Sequence, residues 1–159
     1  MTTTAFQDRF PEEFAHCFGC GRLNEQGLKI QSHWEGDETV CRYEPQPHYT
    51  GGFPGFVYGG FLASLIDCHS SATASAAHSR EQGPSQHDGL FSRYVTASLK
   101  VDYLKPTPMG KVLELRSRVT EMKGRKALVS TALSVDGEVC VKGEAVMVRI
   151  PEEWQTMQE

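Results

Sequence analysis

Three residues in one stretch of the chain have the types and spacing that chemistry needs. They are Gly59, Gly60 and Asp67, in the segment Pro54-Gly-Phe-Val-Tyr-Gly-Gly-Phe-Leu-Ala-Ser-Leu-Ile-Asp67. From Gly59 to about Ala77 the chain is rich in helix formers and small residues. It is apolar on nearly every side through Phe61, Leu62, Leu65, Ile66, Ala72 and Ala76, which predicts a buried helix. A glycine pair at the start of a helix leaves backbone N–H groups without intrahelical partners, at the positive end of the helix dipole. With no Cβ in the way, a ligand oxygen can come close. That is how an oxyanion site is built, and it is also how a tight strand-to-helix turn is built. Asp67 places a carboxylate within the apolar run, where a lone charge is costly. It reads as a general base or nucleophile, or as a buried acid held by Ser or Thr hydroxyls.

Asp67 lies eight residues beyond Gly59, about 12 Å along a helix. An oxyanion donor and a base each work within ~3 Å of their targets, so one helix cannot readily present both to a single carbonyl. A site that uses both takes Gly59 from one chain and Asp67 from another, which predicts a two-fold dimer with two equivalent composite sites.

Other chemistry-bearing residues form weaker patterns. His16-Cys-Phe-Gly-Cys-Gly21 contains a C-x-x-C knuckle. As a zinc site, His16, Cys17 and Cys20 would supply three of four ligands, with no second pair in sequence. A tight glycine turn with two buried thiols is the simpler reading, and no metal is expected. The six histidines show no ligand spacing and are expected mainly on surfaces and loops, with His48 placed to line a pocket. No G-x-S-x-G elbow is present. Lys123-Gly-Arg-Lys126 reads as a solvated hairpin tip, although it could meet a phosphate.

The elements that must position these residues follow in order. Gly27 to Trp34 and Thr39 to Tyr43 alternate on either side of Glu35-Gly-Asp37, which predicts a hairpin. After the helix, Ser79 to Gly89 reads as a mobile loop. Four strands are expected next, over Val95 to Tyr103, Val112 to Val119, Ala127 to Val135 and Val139 to Ile150, with Asp136-Gly137 as a hairpin turn. One buried helix followed by an antiparallel meander predicts an α+β fold with a sheet wrapped around a helix. Residues 1–26 form a lead-in containing the C-x-x-C turn, 27–150 the domain, and 151–159 a polar tail.

The chain has 159 residues, five cysteines and a net charge of −4. That length fits one domain. The charge balance offers no basic face for nucleic acid. The serines and Asp67 argue against a membrane-spanning helix, and no N-terminal stretch reads as a signal peptide. Cysteines without a framework pattern are expected to be reduced thiols, which points to a cytoplasmic location.

With these residues in place, the chain resembles the hotdog-fold acyl-CoA thioesterases of the phenylacetate-degradation type over about residues 17–150. The resemblance rests on C-F-G-C-G, then G-F-P-G-F-V-Y-G-G-F-L-A-S-L-I-D, then V-T-A-S-L-K-V-D-Y-L-K-P-T-P-M-G, then the two closing hairpins. It implies a hotdog fold, an acyl- or aroyl-CoA substrate, no cofactor, and a homodimer that could pair into tetramers. It also implies that the Gly59 N–H holds the thioester carbonyl and that Asp67 activates water or attacks. Thr96 stands where a helper Ser or Thr often sits. By parity along the strand it shares a face with Ser98 and Lys100. Tyr58 occupies the place of the family's usual His, and Gly52 that of an Asn found in some members. Tyr58, Gly60, Phe53, Phe56 and Phe61 are expected to shape the substrate pocket. The alternative is a non-catalytic acyl-CoA or small-lipid binding module on the same fold.

Overall fold

The computed structural model describes residues 4–83 and 92–155. One long helix, α1 (Gly59–Gln82), lies against a six-stranded sheet. The strands are β1 (His33–Glu35), β2 (Glu38–Tyr43), β3 (Tyr94–Tyr103), β4 (Leu113–Lys123), β5 (Lys126–Val135) and β6 (Glu138–Arg149). Their order across the sheet is β1-β2-β4-β5-β6-β3, and every neighbouring pair is antiparallel. This is the hotdog arrangement, and the expected strands from Thr39 onward are present within four residues of their expected ends.

The helix is buried for a reason legible in its composition. Phe61, Leu62, Leu65 and Ile66 join Ile30, Leu113, Leu115, Leu133 and Val141 in the main core. Full burial of such a side chain is worth about 1.5–3 kcal/mol. At Gly143 on β6 the sheet comes so near that an added Cβ would stand 2.5 Å from an Ile66 methyl. Further along, the small residues Ser70, Ser71, Ala72, Thr73, Ala74, Ser75 and Ala76 are all buried. The helix runs to Gln82, so the first residues of the expected Ser79–Gly89 loop are helical, and residues 84–89 of it lie outside the described residues.

One expectation is corrected. Only the end of the Gly27–Trp34 segment is a strand. Its earlier amides serve other partners, Leu28 N–H to Phe18 C=O and Ile30 N–H to Gly19 C=O, and Lys29 takes a positive φ of 58°. The lead-in is docked on the domain. Phe6 and Phe10 are buried, Phe6 packs with Ala72 and Ala76 of α1, and Gln7 exchanges two hydrogen bonds with Ser32.

The sheet has unequal edges. β1 has three residues, whereas β3 has ten and pairs only with β6 among the described residues. Among the described residues, no helix is long and apolar enough to cross a membrane.

Candidate active site

Tyr58 is the N-cap of α1, with φ −58° and ψ 127° and no side-chain capping bond. The first helical amides to find partners are Phe61 N–H and Leu62 N–H, both on Tyr58 C=O. The amides of Gly59 and Gly60 come before those bonds, at the open end of the helix.

Each glycine lies under a tyrosine ring. Tyr103 of β3 donates its hydroxyl to Gly59 C=O at 2.7 Å, and a Cβ on Gly59 would stand 3.4 Å from that ring. Burial and the neighbouring Tyr58 phenol push the Tyr103 phenol above its ordinary range, so it stays neutral and able to donate. The Tyr58 ring folds back over Gly60, where a Cβ would come within 2.5 Å of it. The ring occupies the space a side chain would need.

Asp67 sits two turns further along α1 and is half-buried, not sealed in the core. The Thr96 hydroxyl, from β3, donates to Asp67 Oδ1. The parity expected for Thr96 is overturned. The register of β3 on β6 shifts between Thr96 and Ser98, so Thr96 pairs with Met147 and Ser98 with Val146. Met147 is fully buried on the helix-facing side, and Thr96 Oγ1 lies 3.5 Å from its sulfur. Ala97 is the extra residue of a β-bulge, a feature that re-aims side chains. Thr96 therefore faces the helix with Leu99, Val101 and Tyr103, while Ser98 and Lys100 point away.

A groove of about 340 Å³ opens beside the start of α1. Of the residues expected to shape a substrate pocket, Tyr58, Gly60 and Phe61 line it. His48 lines it too, with Tyr49, Leu28 and Phe18. Phe53 is 80 % exposed and Phe56 42 % exposed, and neither lines this groove. Sequence reasoning missed Tyr103, whose only signal was an aromatic at the end of a strand. It also missed Tyr49, which stacks 4.7 Å from Phe61.

Two further clusters surround α1. His69, expected at the surface with most histidines, is fully buried. Its Nδ1 lies 2.8 Å from Ser32 Oγ and its Nε2 3.4 Å from Thr39 Oγ1. Burial lowers its pKa to about 4, so the ring is neutral at pH 7. The C-x-x-C turn meets Cys68 rather than His16. The sulfurs of Cys17, Cys20 and Cys68 lie within 4.8 Å of one another, while His16 is exposed and outside the group. Hydrogen bonds from the Cys20 and Cys68 thiols hold Cys17 well below the ordinary thiol range. The hydrogen bond to the Cys17 sulfur pushes Cys20 up to about 11 and Cys68 well above its ordinary value.

A helix wrapped by a six-stranded antiparallel sheet, opened by a glycine pair and carrying an acid two turns further on, defines the hotdog class. Residues 54–142 match the family model described as the thioesterase superfamily, and the chain belongs to that family. It is 33 % identical over 111 residues to a Xenopus laevis acyl-coenzyme A thioesterase THEM4, covering 70 % of this chain and 44 % of that protein. With a mouse acyl-coenzyme A thioesterase THEM5 it shares 31 % identity over 142 residues, covering 87 % of this chain and 52 % of that protein. The chain thus spans about half the length of the curated relatives it matches. A thioesterase superfamily protein from Shewanella loihica superposes with a TM-score of 0.67 at 40 % identity, covering 87 % of this chain and 97 % of that one.

Proposed function

We propose that the protein hydrolyses an acyl- or aroyl-CoA thioester at a site shared between two chains. The observation that carries this reading is the Thr96–Asp67 pair. It is a carboxylate held by a hydroxyl at a half-open position beside β3, the long edge strand among the described residues. The Gly59 N–H of one chain donates a hydrogen bond to the developing oxyanion. Asp67 of the partner chain draws a proton from water, or attacks the carbonyl carbon directly. In the water route the attacking oxygen bonds the carbonyl carbon, the proton passes to Asp67, and the carbon–sulfur bond breaks to release the CoA thiolate. The acyl group lies in the groove under Tyr58 and Phe61. The acyl-coenzyme A thioesterases among its relatives support this substrate class.

A second chain is required because Gly59 and Asp67 stand about 12 Å apart on one helix. A ten-residue strand that pairs on one side only among the described residues is a natural surface for pairing with a second copy. The proposed unit is a homodimer.

The test is Asp67→Asn assayed for both hydrolysis and binding. Asparagine keeps the volume and the hydrogen bond to Thr96 but can neither accept a proton nor attack. A fall in kcat of about 10²-fold or more with acyl-CoA binding retained is the expected result. Wild-type-like hydrolysis by the variant removes Asp67 from the mechanism. Wild-type protein that binds acyl-CoA but turns over none of a broad panel is a binding module instead.

A further inference from the structure

The three-sulfur cluster lies outside the proposed catalytic machinery, and the fold goes to some length to build it. Gly21 N–H donates to Cys17 C=O at 2.8 Å and closes the turn. A Cβ on Gly21 would stand 2.5 Å from Cys17 N and Ala15 O. At Gly19 a Cβ would stand 2.3 Å from Cys68 Sγ. One glycine is therefore needed for the tightness of the turn, the other to admit a sulfur from α1. The backbone N–H groups of Cys20 and Gly19 face the Cys17 sulfur. Lys29, in its left-handed conformation, donates its ammonium to Gly21 C=O at 3.3 Å and Arg22 C=O at 2.8 Å.

The structure assigns Cys17, Cys20 and Cys68 to a binding site for a thiophilic divalent cation, with Zn²⁺ as the natural occupant. Tetrahedral ligands at the usual zinc–sulfur distance of about 2.3 Å stand about 3.8 Å apart. The Cys17 and Cys68 sulfurs stand 3.8 Å apart. A disulfide joins two sulfurs at about 2 Å and leaves a third with no role, whereas three mutually close sulfurs suit a metal. Thiolates select zinc over harder cations. Three thiolates on a divalent ion leave one net negative charge, and the Lys29 ammonium beside the turn and the charge of Arg93 near Cys20 offset it. Cys17 is the half-buried member of the trio, so the fourth position opens on its side to water. Such an ion ties the lead-in to α1 at the residue after Asp67. This role does not depend on thioester hydrolysis.

The full chain, reduced and metal-free, is titrated with Co²⁺ under argon and then with Zn²⁺. About one Co²⁺ per chain is expected, with thiolate-to-cobalt charge transfer in the near ultraviolet and the visible bands of tetrahedral cobalt, both bleached by zinc. Cys17→Ser and Cys68→Ser should each lower zinc affinity by at least about 10²-fold, while Cys41→Ser leaves it unchanged. Zinc should raise the melting temperature of the wild type and Cys41→Ser but not of Cys17→Ser. Cys17 is only half-buried, so its variant keeps the test decisive if Cys68→Ser folds poorly. Absence of charge transfer would overturn the assignment. So would wild-type affinity in Cys17→Ser, or a Cys17–Cys20 disulfide as the only chemistry seen.

Discussion

The Thr96 hydroxyl reaches the Asp67 carboxylate because Ala97 is bulged out of register with β6. Without the extra residue, Thr96 would share the outward face with Ser98, since a one-residue slip reverses every side chain beyond it. The bulge lets one strand turn Thr96, Leu99, Val101 and Tyr103 all toward α1. It thereby places one partner on Asp67 and another on Gly59. A hydrogen bond to a charged group is worth about 1.5–3 kcal/mol, or 10- to 10²-fold. Thr96→Val keeps the shape and removes the donor, so kcat for acyl-CoA hydrolysis should fall by about that factor. Thr96→Ser should stay close to wild type. Equal rates in Thr96→Val and wild type would leave Thr96 a packing residue.

Tyr58 gives a second prediction. Its ring lies over Gly60 at the mouth of the groove and is 57 % exposed. If the ring only shapes the groove, Tyr58→Phe should change kcat by no more than a few-fold. Tyr58→His should keep or raise turnover, because the oxyanion donor is a backbone amide that neither change removes. Steady-state kinetics on both variants check this. A loss of about 10²-fold in Tyr58→Phe, the scale of a lost oxyanion contact, would make the phenol itself a donor.

Sequence patterns made the frame legible but not the contacts between its parts. Period-two alternation marked β2, β3 and β4, the Asp136-Gly137 turn marked β5 and β6, and the all-round apolar run marked α1, because burial and turn chemistry are written directly into the sequence. The spacing of Gly59 and Asp67 was equally plain, since both lie on one helix. Parity failed at Thr96 because a bulge leaves no sequence mark when the inserted residue is an ordinary alanine. The C-x-x-C turn looked short of ligands because its third sulfur, Cys68, comes from 48 residues beyond Cys20. His69 looked like a surface residue because its partners, Ser32 and Thr39, come from another part of the chain.

That buried histidine predicts an acid-sensitive fold. His69 is neutral when folded, with its pKa lowered from 6.5 to about 4 by burial. The unfolded chain takes up a proton near pH 6.5 that the folded chain refuses until about pH 4. Its contribution is thus intact above pH 6.5 and is lost as pH falls toward 4. A difference of that size corresponds to roughly 3 kcal/mol. Urea unfolding across this window should show the loss in the wild type. In His69→Gln, which cannot titrate, the pH dependence should be flatter. Parallel curves for the two proteins would assign the acid lability to other groups.

The shared site can be tested by mixing two inactive proteins. Gly59→Pro removes the proposed oxyanion donor, because proline has no N–H. The first turn of a helix tolerates proline. The residue before a proline must be extended, and Tyr58 already is, at φ −58° and ψ 127°. The nearest Tyr103 ring atom is 3.4 Å from the new Cβ position, an ordinary contact for that atom. Asp67→Asn removes the base. Each variant alone should lose at least about 10²-fold in kcat. In a mixed dimer, one site combines the intact Gly59 of the Asp67→Asn chain with the intact Asp67 of the Gly59→Pro chain, and the other site lacks both. Unfolding and refolding the two together in equal amounts makes about half the dimers mixed, each with one working site of two. Activity should therefore recover to about a quarter of the wild-type value. Both groups acting within one chain would give no recovery on mixing, and that result would sink the composite site. Sedimentation of the mixture checks that dimers formed.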